Sequence, residues 1–285
     1  MESLTILGSA AAEGIPARFC DCPVCRKAWE NKGKDFRTTT AYAFNERVRI
    51  DYGPDSYAQE LRFGLRSARM KHLFFTHEHE DHLDLFALSM RGPGFSHGFA
   101  LPLNIYARPT VWNRFRAEFG KTHPVFETLK FHLLRPFEPV ELPEEEMTFC
   151  PLVASHYHIP GEAVVFAVRH GKANILLAND TGYLPEESWK WIENAGIRFD
   201  IVIADCTGGV LDWRNTHMGG ACQRAFRDRL LSLGAIDSAT RYVINHFSHN
   251  GKALHADLER AFGPDGMEVG YDGMVISYDK EKKEF

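Results

Sequence analysis

The chain has no run of 18 apolar residues, so the sequence offers no helical membrane span. Its first residues, MESLTILGSAAAEG, carry neither a basic cluster nor a long apolar stretch. They do not read as a secretory signal, and the expected compartment is the cytoplasm. Charge of one sign is not in excess: 33 Lys and Arg against 38 Asp and Glu leave a net charge of −5. Such a balance gives no global electrostatic ground for holding a nucleic acid. No Pro/Ser linker, low-complexity tract or repeat interrupts the sequence, so it is read as one domain over 1–285. The strongest charge run, ELPEEEM at 141–147, is expected to be a solvated turn between two halves.

Cysteine is scarce, six in 285 residues, and a chain of this length builds a core without disulfides. The scarcity is uneven. FCDCPVCR places Cys20, Cys22 and Cys25 within six residues, a cluster that under reducing conditions points to a metal and leaves a fourth ligand to be found. Cys150, Cys206 and Cys222 stand singly in apolar surroundings and read as core.

Short apolar segments alternate with amphipathic ones along the chain. LTILGS, TAYAF, RVRIDYG and KHLFFTH read as strands, TAYAF and RVRIDYG forming a hairpin; HLDLFALSM reads as a helix, LNIYA as a strand, and PTVWNRFRAEFG as a helix begun by Pro109 and closed by Gly120. MTFCPLVASHYH, AVVFAVRHG and ANILLAND follow as strands, then PEESWKWIENAG as a helix and FDIVIADC as a strand. HMGGACQRAFRDRLLSLG reads as a long helix, RYVINHF as a strand, ALHADLERAFG as a last helix, and MEVGYDGMVISY as closing strands. Two such blocks predict an α/β architecture of two sheets packed face to face with helices outside.

The most informative segment is FFTHEHEDHLD, residues 74–84. A buried strand delivers His77 and His79 on one face, and Asp81 and His82 can turn back to the same point as the next helix begins. The pattern His77-x-His79-x-Asp81-His82 resembles the HxHxDH signature of the metallo-β-lactamase superfamily, and the order of elements resembles its αββα sandwich. The resemblance implies further residues. Asp51 in IDYG would be the structural aspartate, Asp180 in LLANDTG the carboxylate bridging two metals, and His246 in INHFSHN the late histidine. SHYHIPGE supplies the remaining histidine: His158, nearer the next strand, is the expected ligand and His156 the alternative, the two lying on one face of an extended strand.

The cysteine cluster resembles that of the PhnP-like phosphodiesterase branch and of the PqqB proteins. In that branch the fourth ligand lies three residues beyond the late histidine, which implies His249 here and a closed structural zinc site with Cys20, Cys22 and Cys25. His217 in RNTHMGGAC resembles the histidine that acts as acid toward the leaving group in the same branch and in tRNase Z; the alternative is a residue that caps or packs against a helix start. His72, His97, His123, His132, His170 and His255 fit no ligand pattern.

By this resemblance, His77, His79 and His158 hold one metal, Asp81, His82 and His246 the other, and Asp180 bridges, while Asp81 also orients an attacking hydroxide. Two active-site zinc ions and one structural zinc are expected, with manganese or iron as alternatives in the active site. The implied activity is hydrolysis of small or cyclic phosphodiesters. Lactones and other esters or thioesters are the alternative substrates, and a mononuclear-iron oxygenase or a non-catalytic metal-binding protein the alternative classes. The expected partner is a small-molecule substrate; no basic insertion resembles a tRNA-gripping arm, and no interface motif decides for or against a homodimer. RGPGFSHGFALP at 91–102 reads equally as a lip over the site and as an ordinary surface loop.

Overall fold

The computed structural model describes residues 2–281. The first half of the chain forms β1 (Glu2–Gly8), β2 (Ala41–Ala43), β3 (Val48–Ile50), β4 (His72–Phe74), β5 (Leu103–Ala107) and β6 (Leu129–Leu133). The second half forms β7 (Val140–Leu142), β8 (Met147–Val153), β9 (Val164–His170), β10 (Ala173–Ala178), β11 (Ile201–Asp205), β12 (Arg241–Asn245), β13 (Met267–Val269) and β14 (Met274–Tyr278). They assemble into two seven-stranded sheets, β14-β1-β2-β3-β4-β5-β6 and β13-β12-β11-β10-β9-β8-β7. Strands β3 to β6 pair in parallel in one sheet and β10 to β13 in the other. The helices are α1 (Pro23–Asn31), α2 (Ser56–Phe63), α3 (Leu85–Ser89), α4 (Pro109–Phe119), α5 (Glu186–Ala195), α6 (Gly220–Ser232) and α7 (His255–Phe262).

Alternation along the strands creates three apolar layers. Phe74, Tyr106, Phe149, Phe166, Ile203 and Val243 point between the sheets. Their sequence neighbours Leu73 and Ile105 face outward and pack with Val111 and Phe115 of α4, and Val202 and Tyr242 face the other way onto Trp189, Phe226 and Leu258 of the second helical layer. Strands buried on both faces explain why LFF and IVIA read as continuous apolar runs. Phe74 joins the sheets, its ring centroid 3.9 Å from Phe149 and 4.3 Å from Tyr106. The expected αββα sandwich is therefore the observed fold.

Several local expectations need correction. The run ELPEEEM is not a solvated link between halves: it turns β7 into β8 within one sheet, and Glu145 is buried, held by Arg47 Nε at 2.8 Å. A buried carboxylate needs such a partner, and this one comes from the other sheet. The helix expected from HLDLFALSM shrinks to α3, capped by the Asp84 side chain accepting from the Ala87 amide. A short helix, α1, not expected from the sequence, grows out of the cysteine cluster, with Cys22 as its N-cap, Pro23 in its first turn and Cys25 within it.

Candidate metal centre

The parallel strands of both sheets end at one rim. Asp51 follows β3, Thr76 and His77 follow β4, Asp180 follows β10, Asp205 ends β11 and His246 follows β12. Carboxyl ends of parallel strands are where open α/β sheets place their ligands. Asp51, Asp180 and His246 have φ of 61°, 56° and 64°, a left-handed conformation that non-glycine residues hold only where the surroundings over-determine it. Gly53 is required beside them, because a Cβ there would lie 1.9 Å from the Asp81 carbonyl oxygen.

Two groups of donor atoms face each other at this rim. His77, His79 and His156 form one, and Asp81, His82, Asp180 and His246 the other; within each, the donor atoms lie within 4.8 Å of one another. His77 Nε2 is 2.9 Å from His79 Nδ1, and His156 Nε2 is 3.1 Å from the same atom. Asp180 Oδ2 lies 2.8 Å from His82 Nε2, 3.3 Å from His77 Nε2 and 3.6 Å from His246 Nε2. Asp180 therefore touches both groups, as a bridging carboxylate must.

The outer ring nitrogens are already engaged. His82 Nδ1 is 2.7 Å from Asp51, His77 Nδ1 3.0 Å from Thr76 Oγ1, His246 Nδ1 2.8 Å from Thr207 Oγ1, and His156 Nδ1 3.1 Å from the Thr216 carbonyl. Fixing one nitrogen turns the other inward and sets the tautomer. Below them, the Tyr42 hydroxyl donates to Asn179 and accepts from Asn245 Nδ2 at 3.0 Å, tying together the strand ends that carry Asp180 and His246.

These residues fit divalent cations. His82 Nε2, His246 Nε2 and Asp180 Oδ1 are buried without a hydrogen-bond partner among the described residues; although carboxylate oxygens lie 2.8 and 3.1 Å from His82 Nε2, none has hydrogen-bonding geometry. Burial opposes charge on His82, yet Asp81 and Asp51 outweigh it and raise its pKa well above the ordinary range, so the negative field attracts a cation. Burial, reinforced by His82, pushes His77 well below its usual value and keeps it neutral. Neutral imidazoles and carboxylates suit zinc, and also manganese or iron.

The structure brings His156, and not the expected His158, to the donor groups. The strand expected through MTFCPLVASHYH stops at Val153, because Ser155 N turns aside to bond Thr181 Oγ1 at 2.9 Å. His156 then reaches His79, whereas the exposed His158 lies tilted against Tyr157 and joins neither donor group. His77, His79, Asp81, His82, Asp180 and His246 are brought together as expected.

Sequence reasoning missed Asp205. It is fully buried, accepts from Thr207 N at 3.0 Å and Met218 N at 2.9 Å, and lies 3.2 Å from His217 Nδ1. An acid ending an apolar strand, as in the neighbouring LLAND, was the available signal. His217 sits on the turn before α6, whose cap is Gly219, so it does not cap the helix. Burial opposes its charge, but Asp205 raises its pKa to about 9.

Cys20, Cys22, Cys25 and His249 meet in a separate group, all four donors within 4.8 Å. The cysteines are free thiols, with Cys20 Sγ and Cys22 Sγ 3.6 and 3.4 Å from His249 Nδ1. Burial pushes the Cys22 thiol up, but the Cys25 amide and His249 outweigh it and bring it to about 6. Beside the cluster, Ala11 N donates to Phe247 O and Phe247 N to Ser9 O, both at 2.9 Å, so the N-terminal loop is fastened to the segment that carries His246. The three remaining cysteines are buried, as expected.

No described helix is long and apolar enough to cross a membrane. Among curated proteins, the chain is 25% identical over 289 residues to an octanoyltransferase of Porphyromonas gingivalis (strain ATCC BAA-308 / W83), covering 97% of this chain and 51% of that protein. It thus spans about half the length of that relative. Among solved structures, a diphosphatase from the PhnP family superposes with a TM-score of 0.74 at 23% identity over 98% of each chain. Zn2+-bound PqqB from Methylobacterium extorquens gives 0.70 at 18% identity over 97% of this chain and 100% of that one. The Beta-lactamase superfamily domain matches residues 46–246, a span from the β2–β3 turn to the last rim histidine, and the chain belongs to this superfamily.

Proposed function

We propose that this protein hydrolyses small phosphodiesters, with His217 as the acid toward the leaving oxygen. The observation that carries the reading is the placement of His217: its Nδ1 lies 3.2 Å from Asp205 and 3.3 Å from Asp180, and its side chain is 22% exposed. Asp205 fixes Nδ1 and favours the imidazolium, and Nε2 has no hydrogen-bond partner among the described residues. A cationic N–H beside a bridging carboxylate suits protonation of a phosphate ester's departing oxygen. His77, His79 and His156 would hold one divalent metal, and Asp81, His82 and His246 the other, with Asp180 shared. When bound, such a pair supplies a nucleophilic hydroxide at neutral pH and stabilises charge on the phosphoryl group. Asp81, 9% exposed, would also orient the nucleophile.

The test compares His217→Ala with wild type on an alkyl diester and an activated aryl diester, alongside a lactone, at matched metal content. A positioned acid contributes about 10²–10⁴-fold, so the alkyl diester should lose that much and the aryl diester far less. Equal losses would remove the acid role, and lactone turnover above diester turnover would overturn the substrate class.

A further inference from the structure

The segment 91–102 does not lie over the metal centre. Ala100 N donates to Ala68 O at 2.8 Å, and Arg91 Nη2 donates to Ala100 O at 2.8 Å, which folds the segment against the outside of the first sheet. Together with α2 and α3 it encloses a pocket of about 630 Å³, walled by Tyr57, Met70, Phe86, Leu88, Met90 and Phe99. That volume is in the range of small-molecule sites.

Arg91 lines this apolar pocket. It is 8% exposed, its guanidinium carbon is 4.5 Å from the centre of the Phe99 ring, and its Nε has no hydrogen-bond partner among the described residues. No carboxylate of the described residues pairs with it. The two acids on the pocket wall are engaged elsewhere: Glu60 with Arg49 and Ser67, each at 2.5 Å, and Asp84 with the Ala87 amide at 3.0 Å. Burial lowers the Arg91 pKa to about 10, which leaves it charged at neutral pH. A buried unpaired cation is costly unless something completes it, and a guanidinium with donors to spare is suited to a carboxylate, sulfonate or phosphate.

We infer that this pocket binds a small molecule with one anionic head, placed on Arg91, and an apolar body packed among Tyr57, Phe86 and Phe99. The site is distinct from the metal centre, none of whose residues lines it. It backs onto that centre through Tyr52, whose amide donates to His82 O and whose carbonyl accepts from Asp84 N, both at 2.8 Å. The inference does not depend on the hydrolytic substrate.

The probes are the anionic dye 8-anilinonaphthalene-1-sulfonate and the uncharged N-phenyl-1-naphthylamine, titrated by fluorescence into metal-loaded protein. One equivalent of the anionic dye should bind, at least tenfold more tightly than the neutral one, and Arg91→Met should abolish that preference. Because Arg91 is buried and its replacement risks the fold, Ser96→Asp provides a second variant: it puts a competing carboxylate on the pocket wall at a half-buried position and should weaken the anionic dye at least tenfold. Equal binding of the two dyes to wild type, or unchanged anionic binding to folded Ser96→Asp, would overturn the proposal. So would loss of dye binding as light scattering reports dimer formation, since a second copy would then cover the pocket.

Discussion

Asp51 touches no donor of the first group, yet its replacement by Asn should remove a metal ligand. One carboxylate oxygen accepts from the Thr76 amide at 2.9 Å, and the other lies 2.7 Å from His82 Nδ1 and 2.9 Å from Thr76 Oγ1. The Thr76 amide can only donate, so the Asn carbonyl must take its place there and the NH2 must face His82. Thr76 adapts by rotating its hydroxyl. His82 adapts only by exchanging tautomers, which moves its proton to Nε2 and points it at Asp81 and Asp180 rather than at a cation. Asp51 and His82 are both 1% exposed, so water cannot rescue the arrangement. Loss of such an outer partner costs metal affinity about 10–100-fold, or about 1.4–2.8 kcal/mol, and the loss should fall on the group of Asp81, His82 and His246 alone. Chelator competition with metal analysis measures it: one tightly held active-site equivalent should remain and one should weaken. Two equivalents of unchanged affinity in a folded Asp51→Asn protein would refute the reasoning.

Exchange of Cys22 for Ser should release about one zinc equivalent and lower the melting temperature while active-site metal stays, because the closed four-ligand set loses a thiolate; unchanged zinc and melting temperature would contradict the clasp. His156→Ala should lose active-site metal and at least about 10–100-fold in activity, whereas His158→Ala should stay within roughly twofold, and the reverse order would return His158 to the centre. Tyr42→Phe leaves two buried amides without their shared hydroxyl and should cost about 1–3 kcal/mol in urea unfolding; a cost near zero would show that the hydroxyl does not tie the strand ends.

How far the sequence revealed this site depends on where each residue's partners lie. His77, His79, Asp81 and His82 were legible because they sit together at the end of one buried strand, and Asp180 and His246 because each ends an apolar run. His156 was not, since its placement rests on Ser155 bonding Thr181 and on the Thr216 carbonyl, 26 and 60 residues away. Alternation along an expected strand says nothing once the strand has stopped. Asp205 carries no spacing to the other ligands and becomes visible only when β11 takes its place between β10 and β12. Glu145 looked solvated because its partner Arg47 is 98 residues earlier in the chain. The longer alternating strands and α4 to α7, whose causes are local, were legible, whereas α1, α2 and the short strands β6 and β7 were not.

The central claim is a centre of two metals sharing Asp180, and anomalous diffraction from crystals of the protein purified without added metal tests it most directly. The account predicts two peaks at the rim about 3.5–4 Å apart, one reached by His77, His79 and His156 and the other by Asp81, His82 and His246, with Asp180 between them. A single rim peak, or a pair that Asp180 does not touch, would contradict it.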